Sequence, residues 1–327
     1  MHSIRRILVI RRNRMGDMIC TLPMLHALRA AYPHGHLAVA CDQPGSDIAA
    51  ACPAVNQTIL LKKGFCRFHT RWLNRKALRG FDMVIAVKGG FDAHLAATAR
   101  LTNAPVRIGF ASNREEERCY YTHPVPPPSK ELHQVDVCLQ LLRAIGIDRP
   151  AIRFDLVLPP DVDNFKNEIA QRFAIMNGKR IGILNLSSNR PENWMMETHL
   201  KLIRNISLSA PAFFILTASP EDKLKACTLM GLAPDNTCEW VETPTPLHLL
   251  ALFQFADFAI TPEGGAAHLA SICNLPSLVL WWHGPFHKWK TLSPMHRFLD
   301  HRLTPGGITH GTIEDAFSEE LLPLLKK

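Results

Sequence analysis

No C-x-x-C pair, no G-x-G-x-x-G and no apolar stretch of the roughly 18–20 residues that a membrane span needs occurs in the 327 residues. Each absence removes a class. Nine cysteines are scattered and odd in number, which argues against a zinc site or a disulfide framework and suits a reducing cytosol. Without the glycine fingerprint of dinucleotide binding, an NAD-dependent enzyme is disfavoured. The apolar run near the start, "RRILVI", is too short for a signal peptide and continues into "RRNR", so a periplasmic binding protein is disfavoured as well. Any meeting with a membrane is then peripheral.

Charged residues make up 20% of the chain and glycines number 18, the profile of an ordinary globular protein rather than a disordered one. A hydrophobic fraction of 47% over this length exceeds what one core usually organises, so two domains are expected. The formal net charge of +8 suits anionic partners: nucleic acid, an anionic membrane surface or phosphorylated small molecules. Charge alone is the only support for nucleic acid.

Strand-like and helix-like segments alternate along both halves. In the first, "RILVI", "HLAVACD", "FDMVIAVKG" and "APVRIGFA" read as buried strands, interleaved with helical patterns such as "TLPMLHALRAAYP" and "FDAHLAATARLTN". "NREEERCYYTHPVPPPSKELHQVD" reads as a long surface loop, and "HQVDVCLQLLRAIGID" as a helix ended by Gly146. Pro159 and Pro160 mark an interdomain linker near residues 155–165. The second half repeats the rhythm with strands "RIGILNLS", "PAFFILTAS", "DFAITPE" and "PSLVLWW". Two α/β domains with parallel sheets follow, residues 1–160 and 161–327. Ligands of such sheets bind where strands turn into helices at their carboxyl ends.

Two such turns carry chemistry. In "RRNRMGDMICTLP", Asp17 stands at a helix start, either as a cap or first-turn residue complementing the helix dipole or as a general base taking a proton from an attacking hydroxyl. Arg11, Arg12 and Arg14 form either a solvated basic loop or a site for an acidic acceptor. In "DFAITPEGGAAHLASICN", Glu263, Gly264 and Gly265 open a helix carrying His268. The paired glycines are either a plain turn or a cradle whose backbone N–H groups and dipole receive a diphosphate. Glu263 suits sugar hydroxyls. His268 is either a buried core histidine or part of that cradle.

Together these segments resemble the bacterial heptosyltransferases, family 9 of the glycosyltransferases. The likeness covers nearly the whole chain and rests on "RMGDMICTLPMLHALRAAYP", "VRIGF", "HQVDVCLQLLRAIGI", "ILTASPEDKLKA" and "EGGAAHLASICNLPSLVLW". It implies a GT-B fold, two Rossmann-like domains with parallel sheets facing a central cleft, the N-terminal one for the acceptor and the C-terminal one for the nucleotide sugar. The implied reaction is inverting transfer of heptose from ADP-heptose to the inner core of lipopolysaccharide, on an anionic Kdo–lipid A type glycolipid. It needs no cofactor and no metal to hold the diphosphate, and no D-x-D metal motif is expected anywhere in the sequence. Asp17 matches the family's base, Glu221 its nucleoside-binding Glu, and Gly265 and His268 their donor-site positions.

Three positions depart from the pattern. Glu263 stands where the family usually has Asp, and Gly264 where it has Thr or Ser. The phosphate-neutralising Lys shortly before a Trp is absent: Glu192 lies two residues before Trp194, and Arg190 is the nearest cation. These departures keep open a GT-B enzyme with another nucleotide sugar or acceptor, and a non-catalytic nucleotide-sugar-binding relative. The implied place is the cytoplasm, peripheral on the inner membrane. The basic "RWLNRK" (Arg71–Lys76) fits docking to an anionic surface, and "GFCRFHTRWLN", with Phe65, Phe68 and Trp72 amid Arg67 and Arg71, reads as an interfacial segment or as an amphipathic helix lying on its own domain.

Overall fold

The computed structural model describes residues 4–12, 14–62, 67–176, 178–186 and 196–326. The chain packs as two units: Met1–Val157 with Pro285–Lys290, and Leu158–Gly284 with Thr291–Lys327. The return of Pro285–Lys290 to the first unit is a feature that one cut along the chain near residue 160 does not contain.

The first unit holds β1 (Arg6–Arg11), β2 (His36–Cys41), β3 (Gln57–Leu60), β4 (Met83–Ala86), β5 (Val106–Phe110) and β6 (His123–Val125). They form one sheet in the order β3-β2-β1-β4-β5-β6. Every pair is parallel, with Arg6 opposite His36 and Ile7 opposite Met83. The second unit holds β7 (Arg180–Asn185), β8 (Ala212–Thr217), β9 (Cys238–Trp240), β10 (Phe258–Pro262), β11 (Ser277–Trp281) and β12 (His296–Asp300). Their order is β12-β11-β10-β7-β8-β9, again all parallel.

The central strands are apolar along their length because both sheet faces are covered. Successive side chains point to opposite faces, yet Ile7, Leu8, Val9 and Ile10 are all buried, as is every residue of β8 and β11. Close packing sets glycines inside the strands. A Cβ at Gly182 of β7 would lie 2.3 Å from the Phe258 ring, its partner across the β7–β10 pairing. Phe258 meets Phe214 edge-on, with centroids 5.7 Å apart, and Phe317 from the C-terminal segment at 5.2 Å, so one aromatic cluster ties the sheet to the chain's end.

The eight inner strands are the eight that the hydrophobic runs indicate. The four edge strands β3, β6, β9 and β12 are not. The stretch expected as a long loop contains a short helix, Glu115–Arg118, and the edge strand β6. The expected linker near 155–165 is in part helix: Pro160 occupies the first turn of Pro160–Phe173, where a missing N–H is harmless.

Each sheet reverses its winding once. In the first the reversal falls between β1 and β4, and in the second between β7 and β10. Such reversals open the crevice in which α/β sheets bind ligands, outside the carboxyl ends of the strands.

Candidate functional site

The β1 turn carries the candidate site of the first unit. β1 ends at Arg11, and a short helix, Met15–Ile19, follows after Arg14, its N-cap residue, which makes no side-chain capping bond. Asp17 lies within the first turn of that helix, near the positive end of its dipole. Arg11 is 2% exposed and spends its guanidinium inward. Nη2 donates to Asp17 Oδ1 at 2.5 Å, Nε to the Asp17 carbonyl at 3.2 Å and Nη1 to the Val87 carbonyl at 3.1 Å. Arg11 thus fastens Asp17 to the end of β4 across the reversal. The Asp17 side chain keeps 17% of its surface, so it is held but not sealed from a ligand.

Behind this turn, Thr21 Oγ1 donates to the Asp17 carbonyl at 2.8 Å and lies 3.8 Å from Cys138 Sγ. Burial pushes the Cys20 and Cys138 thiols up, so both pack as small apolar groups and neither is a thiolate nucleophile.

The arginines of the turn separate. Arg11, expected among the acceptor-binding residues, is buried with its donors directed to Asp17 and Val87. Arg12 grips both oxygens of Asp42, at the end of β2, at 3.0 and 3.4 Å, and donates to His94 Nε2 at 2.9 Å. Arg14 is exposed. Asp92 caps the helix Ala93–Leu101 by accepting from the Leu95 N–H at 2.8 Å and lies 3.8 Å from Lys88 Nζ. Asp42, Lys88 and His94 escaped sequence reading. The usable signal is position, since each lies within two residues of a strand's end or in the first turn of the helix after one.

The β10 turn carries the candidate site of the second unit. Glu263 follows β10, and Gly264 is the N-cap of the helix Gly265–Ile272. Gly264 has φ 131° and ψ −152°, a conformation essentially reserved for glycine. The first N–H groups of that helix have no carbonyl within the helix to donate to, and the residue at its start has no side chain. Glu263 Oε1 accepts from the His283 N–H at 2.9 Å. The loop carrying His283 is itself pinned: Arg302 donates to the Gly284 carbonyl at 3.1 Å while its Nε and Nη2 bind Asp300 at 2.9 and 2.6 Å. Arg302 follows β12, an edge strand with little sequence signal, and so it too escaped. His268 is buried. Glu221 is exposed, in a turn of 3₁₀ helix after β8.

Arg190, Glu192 and Trp194 lie outside the described residues, as does Phe65, and nothing is described of the side chains of Arg67, Phe68 and Arg71. Trp72 is 52% exposed, with the Arg75 guanidinium 4.6 Å from its ring centroid. The chain does contain one D-x-D, Asp161–Asp163. It falls in the first turn of the helix Pro160–Phe173, where Asp163 pairs with Lys166 at 2.6 Å. Among the described residues no group of three His, Cys, Asp or Glu could hold a metal ion, and no helix is long and apolar enough to cross a membrane.

The family model for glycosyltransferase family 9 (heptosyltransferase) matches residues 71–301. The lipopolysaccharide core heptosyltransferase OpsX of Haemophilus influenzae is 20% identical over 289 residues, 86% of this chain and 80% of its own length. Among solved structures, the family 9 glycosyltransferase of Veillonella parvula superposes with a TM-score of 0.82 at 17% identity, covering 98% of this chain and 97% of its own. The E. coli heptosyltransferase WaaC with ADP-2-deoxy-2-fluoro heptose gives 0.72 at 17% identity, covering 96% and 99%.

Proposed function

Because the chain belongs to glycosyltransferase family 9, the heptosyltransferases, and is a glycosyltransferase of the GT-B type, we propose that it transfers heptose from ADP-heptose to the inner core of lipopolysaccharide, with inversion and with Asp17 as general base. The observation that carries this reading is the Arg11–Asp17 pair. A partly open carboxylate stands at the carboxyl end of β1, oriented by a buried arginine on one oxygen. A base must be in hydrogen-bond reach of the proton it takes and must be held there.

In this reading the second unit takes the nucleotide sugar. Glu263 and Glu221 meet hydroxyls of the donor, and the N–H groups after Gly264, with His268 close by, receive the diphosphate. An acceptor hydroxyl attacks the anomeric carbon from the face opposite the diphosphate, Asp17 removes its proton, and the leaving diphosphate gains charge at the helix N-terminus. Arg190 is proposed to supply the cation at the diphosphate that the family places on a Lys. Arg14 and Arg12 are proposed to meet the anionic acceptor, a Kdo–lipid A type glycolipid. Arg11 acts through Asp17. Exposed Trp72 beside Arg75 suits peripheral contact with the anionic cytoplasmic face of the inner membrane.

The test is turnover of ADP-heptose with a Kdo–lipid A acceptor by wild type and Asp17→Asn. The expected loss is about 10²–10⁴-fold in kcat with KM for donor little changed. Retention of activity by Asp17→Asn overturns the assignment of the base. One observation favours a second reading: Glu263 and Gly264 replace the Asp and the Thr or Ser that the resemblance leads one to expect, which suits a donor other than ADP-heptose. Turnover with another nucleotide sugar and none with ADP-heptose would establish it.

A further inference from the structure

Pro285–Lys290 packs with the first unit although its flanking residues belong to the second. Two imidazoles fasten it there. His287 Nε2 donates to the Lys130 carbonyl at 3.1 Å, and His133 Nε2 donates to the Lys290 carbonyl at 2.8 Å. His133 Nδ1 in turn accepts from the Val135 N–H at 3.2 Å, capping the helix Gln134–Gln140. Between the two fastenings stands Lys288, in the helical turn Phe286–Trp289.

Lys288 is carried to a particular place. Its Nζ lies 3.4 Å from where a Cβ on Gly89 would be, and Gln134 Oε1 lies 3.9 Å from the same point. Gly89 follows Val87 by two residues, and the Val87 carbonyl accepts from Arg11, which holds Asp17. The ammonium therefore stands over the β4 turn, on the β4 side of the reversal whose β1 side carries Asp17. Among the described residues it is ion-paired with no carboxylate, and its ammonium lies 6.0 Å from the centroid of the Trp289 ring. Lys88, by contrast, has Asp92, and Arg12 has Asp42. Lys288 is half-buried, and with no carboxylate paired to it its charge is available to an incoming anion. An added Cβ at Gly90 would meet nothing within 4 Å, so the approach beside it is open.

We propose that Lys288 is a substrate-binding residue whose ammonium takes a phosphate or carboxylate oxyanion of a substrate at the β1/β4 reversal. The inference rests on the glycosyl-transfer reading above for the identity of the substrates, but not for the site. Two sources present such an oxyanion, the anionic acceptor and the donor's diphosphate, and separate KM values distinguish them.

The test uses the full-length protein with Lys288→Met, Lys288→Arg and Gly89→Val, in steady-state kinetics with each substrate varied in turn and in calorimetric titration with inorganic pyrophosphate. Loss of one hydrogen bond to a charged group predicts a rise of about 10–100-fold in one KM for Lys288→Met, recovery of most of it by Lys288→Arg, and an unchanged melting temperature. Gly89→Val, which obstructs the ammonium without removing it, is expected to raise the same KM. A rise confined to the acceptor KM places the oxyanion there, and a rise confined to the donor KM places it on the diphosphate; either supports the proposal. Unchanged KM values, or equal losses in Met and Arg variants with a fall in melting temperature, overturn it. If wild type fails to turn over ADP-heptose, the titration decides. Pyrophosphate binding that weakens in Lys288→Met sustains this site while the reaction reading falls, and binding that is absent from wild type or unaltered by the substitution removes the site.

Discussion

Gly264→Thr installs a residue that the family resemblance leads one to expect, and the structure predicts that it does harm. An added Cβ at Gly264 meets no atom within 4 Å, so crowding contributes nothing. The cost lies in the backbone: φ 131° and ψ −152° belong to a region that side-chain-bearing residues occupy at a cost of about 1–3 kcal/mol, with a β-branched residue toward the upper end. A domain of this size loses roughly 2–4 °C in melting temperature per kcal/mol, so a drop of about 2–12 °C is expected if the turn keeps its shape. If it relaxes instead, the melting temperature recovers while the helix N–H groups turn away from the diphosphate, and donor KM rises. Stability and donor binding are thus two exits for one strain. The assay pairs thermal unfolding, with and without ADP, with initial rates against donor concentration. Gly264→Ala serves as the smaller perturbation, with the same sign and a smaller size. A Gly264→Thr protein that matches wild type in both melting temperature and donor KM would refute the reasoning.

Other perturbations follow from the packing and the charges. Arg11→Lys keeps the charge but loses the fork that binds Asp17 and Val87 together; kcat should fall about tenfold or more through misplacement of Asp17, with a shift of only a few degrees in thermal unfolding. Gly182→Ala sets a methyl 2.3 Å from the Phe258 ring, and overpacking of about 1–3 kcal/mol or more should lower the denaturation midpoint; an unchanged midpoint would mean that the β7–β10 contact gives way freely. Burial pushes His296 down to about 4, so the folded protein favours its neutral ring. That stability is present above the unfolded value near 6.5 and is lost as pH falls from about 6.5 through about 4. Thermal unfolding against pH should therefore decline over that window, less steeply in His296→Gln, and a parallel decline in the two proteins would count against the assignment.

What could be read from the sequence divides along the sheets. The inner strands β1, β2, β4, β5, β7, β8, β10 and β11 announce themselves because they are buried on both faces, and burial on both faces leaves an unbroken apolar run. The edge strands are short and partly exposed: β9 has no fully buried residue and β3 a single one. Their sequences, Gln57–Leu60 and Cys238–Trp240, carry no such run. They are strands because a neighbour offers an unpaired edge, and that is a tertiary fact.

The site divides in the same way. Asp17, Glu263, Gly264, Gly265 and His268 were legible because each follows a strand that was itself legible, within a turn of distinct composition. Arg302 follows an edge strand and was not. Asp42 and His94 adjoin a legible strand and helix, but both meet Arg12 from another turn, and no local pattern encodes those pairings; Lys88 pairs within its own turn, with Asp92. The arginines of the first turn show the limit most clearly. Side by side in sequence, Arg11, Arg12 and Arg14 look alike. Arg11, the last residue of β1, is buried against Asp17 and Val87, while Arg12, just past the strand, meets Asp42 and Arg14 is left exposed. The sequence by itself determined two α/β units, their inner strands and the turns worth inspecting, because periodicity and burial are local consequences of composition. Which side chain meets which, from the Arg11–Asp17 pair to the seating of Lys288 over Gly89, was decided only by the tertiary structure, since it brings together residues as far apart as 89 and 288.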